Sequence, residues 1–168
     1  MTVKHATAGA FVFSWIDGEW RTGLIVHPRF GKLMMPGGHV EPDESQAEAA
    51  LREVTEESGL AVRLIDAPAA AMPAGLGRQR VAQPWWILEH PVPPDNHLSQ
   101  PHIHVDHLYV AQAAGLDPVS VAAHPFGWYC ASELPGLDMF EDARTLATAL
   151  LSCLRDGRLA PAESHQPR

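Results

Sequence analysis

The stretch from Gly38 to Leu60, GHVEPDESQAEAALREVTEESGL, decides how the rest of the chain is read. Its second half predicts a helix over residues 46–57. Ser45 stands where an N-cap hydroxyl is needed, and Glu48, three residues on, completes a capping box. Ala47, Ala50, Leu51 and Val54 recur at helical spacing, so one face is buried. Gly59 stands where a left-handed residue closes the last turn. Another face carries Glu53, Glu56 and Glu57. Like charges at this spacing cost about 0.2–0.5 kcal/mol per pair, and these sit at the negative end of the helix dipole. A sequence that accepts both penalties points to a cation, and hard carboxylate oxygens suit Mg²⁺ or Mn²⁺. On the helix alone, a solvated acidic face is an equal reading.

Working outward, Thr7–Trp15 and Arg21–His27 read as strands joined at the turn dipeptide Asp17-Gly18. Leu33-Met34-Met35 is a short apolar run stopped by Pro36-Gly37-Gly38. Beyond the helix, strands are predicted over 61–65, 85–89, 103–112 and 126–131, and an amphipathic helix over 142–155. Residues 66–84 read as irregular, broken by Pro68, Pro73, Gly75, Gly77 and Pro84, and 91–101 as a loop with four prolines. Mixed strands and helices in this order imply an α/β layered domain. One domain is expected over 1–155, with a Pro-rich insertion at about 66–101 and a frayed tail over 156–168.

Composition narrows the function classes. The 168 residues carry 20 acidic and 12 basic side chains, a formal charge of −8. That argues against a sequence-independent grip on a nucleic acid polymer, which needs a basic face. An acidic site still holds a small polyphosphate when divalent cations lie between them. No run approaches the roughly 18 apolar residues of a membrane span. The start, Met1-Thr2-Val3-Lys4-His5, has no apolar signal core, and Cys130 and Cys153 read as free thiols, so a cytoplasmic location is expected. The expected partner is a small molecule; monomer and homodimer stay open.

Gly38, Glu44, Arg52, Glu53, Val54, Glu56, Glu57, Gly59 and Leu60 fill all nine specified positions of the Nudix box, so this segment resembles the Nudix hydrolase family. Met35-Pro36-Gly37-Gly38 resembles the family's lead-in, and Trp128–Leu134 its late strand and turn. The resemblance implies an α/β/α sandwich around a mixed sheet. It also implies metal-dependent cleavage of a diphosphate linkage in a nucleoside diphosphate derivative, water attacking phosphorus. Carried over to this chain, Glu53, Glu56, Glu57 and the Gly37 carbonyl ligate Mg²⁺ or Mn²⁺. Glu53 is, or orients, the general base. Arg52 fixes a box glutamate, and Glu44 pairs with Arg52 to tie the loop to the helix. Gly38 and Gly59 are expected to adopt backbone angles other residues resist. Many family members add a glutamate from a loop near the late strand; here 113–127 offers only Asp117 and His124 as titratable side chains.

Outside the box, His102, His104 and Asp106 alternate along one predicted strand face. Three readings stay open: a transition-metal site, a substrate-pocket wall formed by His104 or Asp106, and a solvated polar face. Trp85, with Trp86, Trp128 and Tyr129, either stacks on a nucleobase or fills the core. Substrate markers are mostly absent: Gln83-Pro84-Trp85 only echoes the NADH-cleaving members, and Gly75-Leu76-Gly77 lacks the Pro or Tyr of members acting on ADP-ribose or dinucleoside polyphosphates. The competing reading is a non-catalytic, nucleotide-binding regulatory Nudix domain; an isomerase using Cys130 and Glu133 is a more distant one.

Overall fold

In the computed structural model, which describes residues 2–69 and 77–159, β1 (Lys4–Ile16) and β2 (Glu19–Val26) form the hairpin expected at Asp17-Gly18. Both turn residues take positive φ, 52° and 86°, the sense that matches the twist of the flanking strands. Past Val12↔Gly23 the two strands part. The chain from Leu33 to His39 crosses between them: β3 (Leu33–Met34) pairs with β2, and β4 (Gly37–His39) pairs with β1. The Ala10 N–H donates to the Pro36 carbonyl at 3.1 Å and fastens the crossing. β4 was not foreseen, because glycine pairs are poor strand formers and its partner lies 30 residues earlier in the Thr7↔His39, Ala8↔Gly38 and Gly9↔Gly37 register.

The sheet continues through β5 (Val62–Ile65), β6 (Trp86–Val92), β7 (His102–Ala113) and β8 (Phe126–Cys130). β7 runs parallel to β1, while β5 and β6 both pair antiparallel with β7. β8 pairs with β2, so the sheet is mixed. Helix α1 (Gln46–Ser58) follows β4, and α2 (Glu141–Arg155) closes the described chain.

Alternation along the strands sets the layers. Ala8, Ala10, Val12, Tyr109 and Ala111 pack on Ala47, Ala50 and Val54 of α1. Their strand neighbours Phe11, Phe13, Leu108 and Val110 pack on Ala143, Ala147, Leu150 and Leu151 of α2. The result is the expected sandwich, with α1 and α2 on opposite faces of the mixed sheet.

Two expectations change here. Residues 91 and 92, read as loop, extend β6, with Pro91 opposite Ile103. Among the described residues β6 pairs with no strand but β7, and a proline is tolerated at such an edge. Thus part of the Pro-rich 66–101 segment belongs to the sheet. Asp156 to Leu159, read as the start of a frayed tail, instead fold back: Gly157 takes φ 65° and Leu159 is buried in the α2 layer. Residues 160–168, Pro73, Gly75 and Leu76 lie outside the described residues. Among the described residues no helix is long and apolar enough to cross a membrane.

Candidate active site

Helix α1 carries the site and is fixed at both ends. At its start the Ser45 hydroxyl accepts from the Glu48 N–H, and the Glu48 carboxylate accepts from the Ser45 N–H at 2.8 Å, the expected capping box. At its end Gly59 takes φ 76°, a left-handed angle that favours glycine. The loop before β8 then bonds to carbonyls of the last turn, including that of Thr55, which also accepts the Gly59 N–H. Ala123 N–H donates to Glu56 O at 2.8 Å, His124 N–H to Glu57 O at 3.2 Å, and the Ser120 hydroxyl to Thr55 O at 3.1 Å.

Arg52 organises the carboxylates. Its guanidinium grips Glu44 with two hydrogen bonds, Nε to Oε2 at 3.0 Å and Nη2 to Oε1 at 2.6 Å. The same group donates to Glu53 at 2.8 Å, to Glu56 at 3.2 Å and to the His39 carbonyl at 3.0 Å. The Arg52 hydrogen bond holds the Glu44 carboxyl below its ordinary range. One guanidinium therefore faces three acids, and Glu57 lies outside its reach as drawn by these contacts.

Glu57 is mostly buried, as are Glu44 and Glu53. Its Oε2 accepts the Gly37 N–H at 2.9 Å, and its Oε1 lies 3.3 Å from His124 Nε2. Burial, against the help of the Gly37 N–H, pushes its carboxyl up to about 7. Burial also raises Glu53, with Arg52 opposing. Glu53, Glu57, Arg52, Gly37, Gly38 and His39 line a cleft of about 270 Å³. Sequence reading singled out His124 only as one of two titratable groups in its loop; its contact with Glu57 depends on how that loop caps α1.

The chemistry available here is clear from the donor set. Several carboxylate oxygens are held together, two of them partly desolvated, with one shared cation already committed to Glu44. Such a set suits a hard divalent ion. A family model described as NUDIX domain matches residues 7–144.

The chain belongs to the Nudix family.

Solved structures agree at the level of fold. A Nudix-family hydrolase from Clostridium perfringens is 23% identical, with 89% of this chain and 97% of that chain covered and a TM-score of 0.67. A Caenorhabditis elegans Ap4A hydrolase is 15% identical, with 90% and 99% covered and a TM-score of 0.60. The Nudix domain of Shewanella oneidensis NrtR, complexed with ADP-ribose, is 18% identical, with 92% and 90% covered and a TM-score of 0.53.

Within this Nudix box one glycine has a different reason from the one expected. Gly38 has no positive φ; a Cβ there would stand 2.4 Å from Glu53 Oε1. The glycine is needed for closeness, not for backbone angle. Gly38→Ala is expected to lower kcat by about tenfold to a hundredfold through displacing Glu53, with little change in Tm, because the clashing atoms end a flexible side chain. Kinetics and a thermal melt on the same preparation check this; wild-type kcat would remove Gly38 from the positioning of Glu53.

The remaining expected site residues separate. Asp106 does not join His102 and His104; it takes a hydrogen bond from Thr7 and lies 2.7 Å from His90 Nδ1. Asp106 and His90 line a second cleft, of about 280 Å³, with Met35 and Asp142. His104 lies among other histidines, outside the lining of both clefts. Trp85 packs against the α2-side core, and its indole N–H donates to the Ile65 carbonyl at 2.9 Å, so it lines neither cleft.

Proposed function

We propose that this chain is a divalent-metal-dependent pyrophosphohydrolase, cleaving a diphosphate linkage in a nucleoside diphosphate derivative by attack of water on phosphorus. The observation that carries the reading is the set of box carboxylates gathered beside Gly37, with Arg52 the one guanidinium bonded to them among the described residues. Two fold neighbours, one named for Ap4A hydrolysis and one complexed with ADP-ribose, are consistent with a nucleotide derivative as substrate.

Glu53, Glu56, Glu57 and the Gly37 carbonyl would hold Mg²⁺ or Mn²⁺. Bound there, the ion neutralises diphosphate charge and lowers the pKa of water. Glu53 accepts, or orients the group that accepts, the proton of the attacking water. Arg52 fixes Glu53 and Glu56 by charge-assisted hydrogen bonds, and Glu44 anchors Arg52. The cleft beside the carboxylates can admit part of a small substrate; Asp106 lines the other cleft, and His104 and Trp85 line neither.

The test is a phosphate-release screen with Mg²⁺ and Mn²⁺. It spans ordinary and oxidised dNTPs, ADP-ribose, dinucleoside polyphosphates, NADH, nucleotide sugars and prenyl diphosphates. EDTA is expected to abolish any turnover, and added Mg²⁺ or Mn²⁺ to restore it. Turnover that resists EDTA would overturn the mechanism. Silence across the panel would favour a nucleotide-binding domain without hydrolysis.

A further inference from the structure

On the other side of β4 from Glu53, three histidines and one aspartate meet. They come from three places in the chain. His39 ends β4, His102 and His104 begin β7, and Asp95 sits in the loop between β6 and β7. One ligand atom from each lies within 4.8 Å of all the others. His102 Nε2 is 3.2 Å from His104 Nε2. Asp95 Oδ2 lies 3.4 Å from His102 Nε2, 3.6 Å from His104 Nε2 and 3.9 Å from His39 Nε2. Nitrogen and oxygen ligands at tetrahedral distances around Zn²⁺ stand about 3.3 Å apart. Four of the six separations run from 3.2 to 3.9 Å, and the other two lie within 4.8 Å.

The ligand atoms are aimed by their neighbours. Asp95 Oδ1 accepts the N–H groups of His97 and Leu98, each at 2.8 Å, which turns Oδ2 toward the imidazoles. The His102 side chain is fully buried, and its Nδ1 lies 3.0 Å from the Gln100 carbonyl. Donating there leaves Nε2 with its lone pair facing the cluster, the arrangement usual for a metal-binding histidine. His39 Nε2 is buried with no hydrogen-bond partner among the described residues. A buried polar atom without a partner costs stability unless something binds it. His5 and His97 pack edge or face against these rings but offer no atom to the set.

We infer that His39, Asp95, His102 and His104 form a four-coordinate site for a transition-metal ion of the Zn²⁺ type, separate from the box carboxylates. Three imidazoles and a carboxylate favour Zn²⁺ over Mg²⁺, which prefers oxygen ligands alone. Four protein ligands close the coordination shell, so the ion is structural. It pins the loop that carries Asp95 to β4, next to Gly38. The two sites share no ligand, so either can fail alone.

Co²⁺ reads the site directly, because tetrahedral Co²⁺ absorbs far more strongly in the visible than octahedral Co²⁺. The chelator-treated full chain would be titrated with Co²⁺ in excess Mg²⁺, which masks the carboxylates. We expect intense bands saturating at one equivalent and bleached by one equivalent of Zn²⁺. Asp95→Asn and His104→Gln, both at partly exposed positions and checked by melting curve, are expected to weaken binding by about a hundredfold or more. Glu57→Gln should leave the titration unchanged. Weak octahedral-type absorption in the wild type would overturn the inference. So would intense bands that survive in both ligand variants, or that vanish in Glu57→Gln.

Discussion

Glu57→Gln is expected to lower turnover by about a hundredfold or more, since a ligand to the catalytic ion supports several kcal/mol of charge stabilisation, while making the metal-free protein more stable above pH 7. The sign follows from the raised carboxyl. Its ordinary value is 4.5 and its folded value is about 7, so between these the folded protein holds the extra proton. Stability then falls as pH rises from 4.5 toward 7. The full loss is on the order of 3 kcal/mol. Glutamine is neutral throughout and keeps an oxygen for the Gly37 N–H. Without metal, the variant should therefore melt several degrees above the wild type at pH 8, with the gap closing near pH 4. Saturating Mg²⁺ should reverse the order, because the ion stabilises only the chain that binds it. A variant that melts lower at pH 8 would make Glu57 a structural carboxylate and not a ligand.

Arg52→Ala is expected to remove nearly all activity and roughly 2–4 kcal/mol of stability. Its side chain makes hydrogen bonds to Glu44, Glu53, Glu56 and the His39 carbonyl. Without it, Glu44 and Glu53, both mostly buried, lose their cation together. The stability gap should shrink in acid. Glu44 titrates below its ordinary value when folded, so its contribution is present above that value and is lost as pH falls through the folded one. Arg52→Lys separates charge from shape: a lysine keeps the charge but not the two-pronged grip. It should recover part of the stability and little of the turnover. Chemical denaturation and steady-state kinetics on both variants check this. A lysine variant with wild-type kcat would reduce Arg52 to a source of charge.

The parts legible in the sequence were those set by local chemistry. Ser45, Glu48 and Gly59 bound a helix because capping acts over a few residues, and Asp17-Gly18 made a hairpin for the same reason. The Glu44–Arg52 pair was implied by the family resemblance and is present in the structure. What escaped depended on distant partners. β4 exists only because β1 receives it, and β6 runs through Pro91 because β7 is its one strand partner among the described residues. Alternation placed Asp106 with His102 and His104, but Thr7 and His90 claim its carboxylate. The aspartate that does face those histidines is Asp95, in a loop where no period operates. His39 lies more than sixty positions from them in the chain, so no spacing rule joins it to the cluster.

The three residues of β4 leave evolution almost no latitude. A methyl group at Gly37 would meet the Gly9 Cα at 2.7 Å, and one at Gly38 would meet the Glu53 carboxylate. His39 contributes its carbonyl to Arg52 and its ring to the imidazole cluster. Each neighbouring position is constrained by a different demand, so no single compensating change elsewhere can free all three. Variation in this protein is expected to collect at its solvent-facing side chains, such as Trp15 and Ile87, and not at β4.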